Sequence, residues 1–262
     1  MARFLGAFWL TALLSALAAP AERAVVRVGM DTRSRPWAFV PGLDYAQEDF
    51  SKPPRISEAQ LRELVGVDVD FLRALEPRLA ASLRIVPAAW ETIESGLVEG
   101  RFDMIVNAWT PTSRMPKEIV ASDPYYEWGL LVATRAGDEA VRSHRDLAGR
   151  SVGHYRHPTI DRSAMNLGAK RLVGFEDSDA LFEALAGKQV DAVIEDSTYV
   201  RWRVANDTRF RAVGEPLNRH GYHVALRRSD AELLRRVQKA IGELVAAGEP
   251  EKIRKRWETK RP

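Results

Sequence analysis

Apolar and polar positions follow two periods along this chain. Ala24 to Met30 (AVVRVGM) and Leu83 to Pro87 are short apolar runs that read as strands. Val67 to Ala80 carries Val69, Leu72, Leu75 and Leu79 at helical spacing, and Pro77 inside it is expected to kink or break the helix. Trp90 to Val98 reads as a helix stopped by Gly100, and Met104 to Val106 as a short buried strand. This β-α-β-α-β order predicts a parallel sheet with helices on both faces. Between the first strand and the first helix lies Pro36 to Gly66, a long segment with four prolines (Pro36, Pro41, Pro53, Pro54) and a short helical piece, Ser57 to Leu64. Its apolar residues, among them Trp37, Phe39 and Phe50, indicate that it packs.

A second alternating block follows Gly137. Strands are read at Arg150 to Tyr155, Arg171 to Phe175, Val190 to Ile194 and Tyr222 to Arg227. Helices are read at Pro158 to Leu167, Ser178 to Ala186 and Ser197 to Asn206, and two more, Asp230 to Ala247 and Glu249 to Trp257, close the chain. Two α/β blocks joined by two extended segments, Trp128 to Arg135 and Gly221 to Arg227, make a hinge, and the cleft between the lobes is the expected ligand site.

The N-terminus changes the picture of where the protein works. Arg3, the apolar run Phe4 to Leu17 and the small residues Ala18 to Ala21 have the layout of a secretory signal peptide, with cleavage expected after Ala21 or Ala18. The absence of cysteine excludes disulfides and a lipid-modified N-terminal cysteine. A soluble periplasmic or secreted product is expected. The formal charge of +3 over 262 residues, with basic residues dispersed or interleaved with glutamates, argues against a nucleic-acid partner.

The stretch Asp103 to Thr134 carries the candidate chemistry. A strand ends in Asn107, Ala108, Trp109, Thr110 and a polar turn, and in open α/β sheets ligands bind at that strand edge. Arg114 follows, and a guanidinium pairs a carboxylate through two parallel hydrogen bonds. A catalytic cysteine, a Gly-x-Ser-x-Gly elbow, a phosphate loop and a His-Glu-x-x-His motif are all missing. The histidine pairs His154/His157, at a strand end of the second block, and His220/His223, at the hinge return, are spaced i, i+3, which strand alternation would put on opposite faces, so no metal is expected.

In order and spacing, VRVGMD, Gly66 to Asp70, LVEGRFDM, SDPYYEWGL, DLAGRSVG, LAGKQVDAVIED and the closing ELVAAGEPEKIRKRW together resemble the bacterial extracellular solute-binding proteins of family 3. The resemblance implies the two-lobed periplasmic-binding-protein fold of type II: α/β, each lobe a mostly parallel sheet with flanking helices, and two hinge crossings. The expected limits are a signal peptide at 1–21, lobe 1 at 22–131 and 224–262, and lobe 2 at 132–223. It implies a monomer without cofactor that captures a small polar ligand, an amino acid or a related compound, for a membrane permease of an ABC transporter. By position, Arg114 takes the ligand carboxylate, while Asp196 and Asp31 take its ammonium. Asn107, Ala108, Trp109, Thr110 and Ser34 line lobe 1, and His157 and Thr159 line lobe 2.

The departures fall on ligand contacts. Ser34 stands where the family has an aromatic residue, the turn before Arg114 is one residue short, and His157-Pro158-Thr159 replaces a glycine-led turn. Proline has no N–H to offer a carboxylate. Glu195 beside Asp196 adds an acidic residue and points to a cationic ligand. Two alternatives remain. One is a cyclohexadienyl dehydratase-like enzyme, whose general acid falls at Tyr199 in this chain. The other is a ligand-sensing partner of a membrane receptor.

Overall fold

The computed structural model describes residues 24–45, 48–156, 160 and 164–258. Two five-stranded sheets organise it. The first has the order β2-β1-β3-β10-β4, with β1 Val25–Met30, β2 Ser82–Pro87, β3 Met104–Ile105, β4 Ile119–Trp128 and β10 His220–Arg227. The second has the order β7-β6-β8-β5-β9, with β5 Leu130–Arg135, β6 Ser151–Tyr155, β7 Arg171–Phe175, β8 Ala192–Asp196 and β9 Phe210–Val213. In each sheet four strands run one way and one runs against them, β10 in the first and β5 in the second. The fold is the two-lobed α/β architecture expected from the alternation.

The run around Trp128 is two strands rather than one. β4 ends at Trp128, β5 begins at Leu130, and they belong to different sheets. Gly129 makes the step because a Cβ there would lie 2.1 Å from the Asn218 carbonyl oxygen. The return crossing occupies 214–219 and is stitched to the first. Leu130 N–H donates to Asn218 Oδ1 at 2.9 Å, and Leu217 N–H donates to the Leu130 carbonyl at 2.8 Å. His220, Gly221 and Tyr222 already pair with Trp128, Glu127 and Tyr126 in the first sheet. The chain therefore re-enters that sheet a few residues before the 223/224 limit read from the sequence.

Helix α1 spans Glu58–Arg62, and Ser57 caps it in a box with Gln60. Helix α2, Val67–Leu79, runs through Pro77 without a break. Pro77 lies in the exposed last turn, where its missing N–H costs a single bond before the helix ends at Ala80 in the left-handed region. Helix α3 is Ile93–Val98, α4 Ser178–Ala186, α5 Ser197–Asn206, α6 Ala231–Ala246 and α7 Glu249–Glu258. The helix read at Pro158 to Leu167 lies largely outside the described residues. Val28, Met30, Leu72, Leu75, Val224, Ile241 and Trp257 share one buried core. Leu131, Phe182, Leu185 and Val193 form the second-sheet core.

The long segment before α2 closes on itself. Phe39 and Val65 exchange backbone hydrogen bonds at 2.9 and 3.0 Å and form its neck. The carbonyls of Pro36 and Trp37 then accept the N–H groups of Val67 and Asp68, both at 3.0 Å, which satisfies the start of α2. Gly66 permits this approach. Its φ is +147°, and a Cβ would lie 1.9 Å from the Trp37 carbonyl oxygen. Gly66→Ala is expected to cost at least ~2 kcal/mol, read as a lower urea midpoint with an unchanged slope.

Candidate functional site

The strand ends of the first sheet and the start of α2 meet at one edge. Asn107, just past β3, turns its Oδ1 back to accept the Asp31 N–H. Ala108 takes a left-handed conformation (φ +49°), which aims its N–H at Asp68 Oδ2, 2.6 Å away. Tyr125 donates its hydroxyl to Asp68 Oδ1 at 2.6 Å. The polar turn after β3 thus holds the lobe together.

Trp109 and Thr110, expected to line the ligand edge, turn inward. The Trp109 indole is buried among Ile93, Leu97 and Phe102, and its Nε1 donates to Glu94 Oε1 at 2.8 Å. Thr110 donates to the Gly221 carbonyl at 3.0 Å and accepts from Trp128 Nε1 at 3.2 Å. Burying an indole of that size outweighs leaving it at a wet edge. The Ser34 carbonyl closes a turn by accepting from Trp37 N–H (2.8 Å) and Ala38 N–H (2.7 Å). Arg114 is exposed, and among the described residues its guanidinium has no partner. His157 and Thr159 lie outside the described residues.

The two carboxylates expected to hold an ammonium are occupied. Asp31 Oδ1 accepts from Arg33 N–H (3.1 Å) and Nε (2.9 Å). Its Oδ2 accepts from Arg33 Nη2 (2.8 Å) and Trp90 N–H (3.3 Å). Asp196 caps α5, accepting from Thr198 N–H at 2.8 Å on Oδ1, and its Oδ2 accepts the Tyr222 hydroxyl across the lobe boundary. Arg33 and Tyr222 were not singled out from the sequence. A basic residue two positions after Asp31 was the only signal for the first.

Other cleft groups come from the second sheet. Glu195 is buried beside Asp196, accepting from Ser178 Oγ (3.0 Å) and Asp196 N–H (2.9 Å). Burial pushes Glu195 up to about 8, Asp68 up to about 7 and Asp196 up to about 6. Burial thus favours the protonated form of Glu195 and weakens the negative charge expected of it. Burial also pushes Tyr155 up to about 12, with the charges of Glu195, Glu176, Asp177 and, from the first lobe, Asp31 adding to the effect. Among the described residues no group of His, Asp and Glu is arranged to hold a metal. His223 Nδ1 lies 2.7 Å from the Ser122 carbonyl oxygen, and the His220 ring packs on Trp128.

Each of the three raised carboxyls holds its proton more tightly folded than unfolded. The folded state then binds more protons between about pH 4 and the raised values, so stability falls as pH rises through that window. His220, lowered by burial, acts in the opposite sense below about pH 6.5. The urea midpoint is expected to drop between about pH 5 and about pH 8. Asp68→Asn, which removes one of the three raised carboxyls, is expected to shrink that drop by roughly 1–4 kcal/mol.

Comparison with known proteins agrees with this geometry. The L-cystine-binding protein TcyJ of Escherichia coli (strain K12) is 25% identical over 209 residues, covering 78% of each chain. The arginine-binding extracellular protein ArtP of Bacillus subtilis (strain 168) is 26% identical over 202 residues, covering 75% of this chain and 78% of that one. A solved ancestral arginine-binding protein bound to arginine superposes with a TM-score of 0.65 at 26% identity, covering 90% of this chain and 98% of its own. An ancestral amino acid-binding protein described as a precursor of cyclohexadienyl dehydratase shares the fold, with a TM-score of 0.68 at 22% identity over 89% of this chain and 95% of its own. The model of the bacterial extracellular solute-binding proteins, family 3, matches residues 45–260, and the chain belongs to that family.

Proposed function

We propose that this protein binds a small amino acid or a related carboxylate in the cleft between its lobes and delivers it to the membrane permease of an ABC transporter. The observation that carries the reading is the pair of pseudo-symmetric sheets joined by two stitched crossings in a chain of family 3. Such a hinge lets a ligand shift the balance between open and closed forms, and closure is the whole of the activity. The relatives named above are binding proteins for cystine and arginine, which supports an amino-acid-like ligand. Arg114 is the carboxylate donor in this proposal. It follows the polar turn and has no partner of its own among the described residues.

The protein works in the periplasm after loss of residues 1–21 or 1–18, and it acts as a monomer. No helix among the described residues is long and apolar enough to cross a membrane. A dehydratase role finds little support in the residues. Tyr199, at the expected acid position, is buried and donates its hydroxyl to Asp179 at 2.6 Å, and burial raises it well above its ordinary range. A general acid needs a proton it can release near the working pH.

A thermal-shift screen of amino acids and small organic acids tests the reading, because a ligand that binds the native state raises the melting temperature. Arg114→Ala is expected to weaken the ligand found by at least about tenfold in calorimetry, the scale of a lost charge-assisted pair. Unchanged affinity in Arg114→Ala would remove Arg114 from the site, and a screen without any shift would remove the function.

A further inference from the structure

Arg33 lies just past the end of β1 and plays no part in the reading above. Its side chain and that of Asp31 are 1% and 2% exposed. Besides the two bonds to Asp31, Nη1 donates to the Asp49 carbonyl at 3.1 Å and Nη2 to the Lys52 carbonyl at 3.1 Å. The Phe50 ring covers the guanidinium, its centroid 4.4 Å from Cζ. Glu48 lies 3.7 Å from Nη1. A facing carboxylate, carbonyls around the edge and an aromatic ring on the flat face meet every demand of a guanidinium ion. These groups make a complete receptor, and its occupant is part of the same chain.

The receptor has no room for a second cation. Both Asp31 oxygens already accept two hydrogen bonds each. A ligand cation would have to displace Arg33, which would leave a buried charge and the carbonyls of Asp49 and Lys52 unpaired. The tether also keeps the guanidinium at an effective concentration that a diffusing ligand does not reach.

We propose that Arg33 is the built-in occupant of a guanidinium subsite on lobe 1, and that it excludes ligands with a cationic side chain from Asp31. Resting on the binding function proposed above, this narrows the ligand to a small polar carboxylate that brings no cation to Asp31. It also runs against the cationic ligand that Glu195 suggested, since that side chain is buried and bonded to Ser178 and the Asp196 N–H.

Chemical rescue tests the assignment. In Arg33→Ala the receptor keeps its carboxylate, carbonyls and ring but loses the occupant. Low-millimolar methylguanidinium or agmatine is expected to raise the melting temperature of R33A by about 3 °C or more. Urea, which matches the shape without the charge, and sodium chloride are expected to give no rise. Wild-type protein is expected to show no rise with any of the four. Arg33→Ala combined with Asp31→Asn is expected to lose the rescue. If R33A is recovered folded only when methylguanidinium is present, that dependence is the same result. An R33A chain that folds without a selective rise, or stays unfolded in the probe, overturns the proposal. So does wild-type protein that takes up agmatine in a manner abolished by Asp31→Asn. The outcome is separable from the transport reading. An amino-acid screen that fails on wild type leaves the rescue standing, and failed rescue leaves any ligand found on wild type in place.

Discussion

The Tyr222 hydroxyl is a buried point at which the two lobes hold each other. It projects from β10 of the first sheet, accepts from Trp37 Nε1 at 3.0 Å and donates to Asp196 Oδ2 at the N-cap of α5. The ring stacks on Tyr126, with centroids 5.6 Å apart and planes 11° from parallel. Three separate pieces therefore meet at one oxygen: the long segment before α2, the first sheet and the second lobe. Burial forces the meeting to be complete, because an unpaired hydroxyl or carboxylate at this depth would cost more than the bond contributes. The strong upward push on Tyr222 from burial and from Asp196 keeps the hydroxyl protonated and therefore a donor.

The same economy governs the acids. Among the described residues five carboxyl side chains, Asp31, Asp68, Asp70, Glu195 and Asp196, are buried. Each has a distinct solution. Asp31 is matched by Arg33, and Asp70 accepts from Arg256 Nη1 and Trp257 Nε1, both at 2.9 Å. Asp68, Glu195 and Asp196 rest on neutral donors, and burial favours their protonated forms. Counting acidic residues near a cleft therefore overstates its negative charge. Whether an acid is matched by a cation or keeps a proton decides which ligands it can attract.

The architecture was legible because its signals are local. The strand at Val25–Met30, the helix at Val67–Leu79 and the closing helices follow from periodicity and punctuation. The break at Gly129 was not legible, because it depends on a distant backbone, the Asn218 carbonyl, lying where a Cβ would go. The inward turn of Trp109 was hidden for a related reason. An indole beside a polar turn looks like a cleft residue until Glu94, fifteen positions away, supplies its acceptor. Arg33 left little mark because the Asp49 and Lys52 carbonyls that complete its surroundings look like any other backbone. Site residues that contact through side chains leave marks in composition, whereas those that contact through backbone do not.

The aromatic residues at the lobe boundary have an optical consequence. Phe39 packs edge-on to both Trp202 of α5 and Trp257 of α7, with centroids 6.4 and 5.9 Å apart. Trp37 lies 6.3 Å from Tyr199 of the second lobe. Indole emission responds to the polarity around the ring, and these rings sit where the two lobes meet. For the hinge closure proposed above, the molecule thus carries intrinsic reporters of lobe angle, which a spectrometer can follow without any attached label.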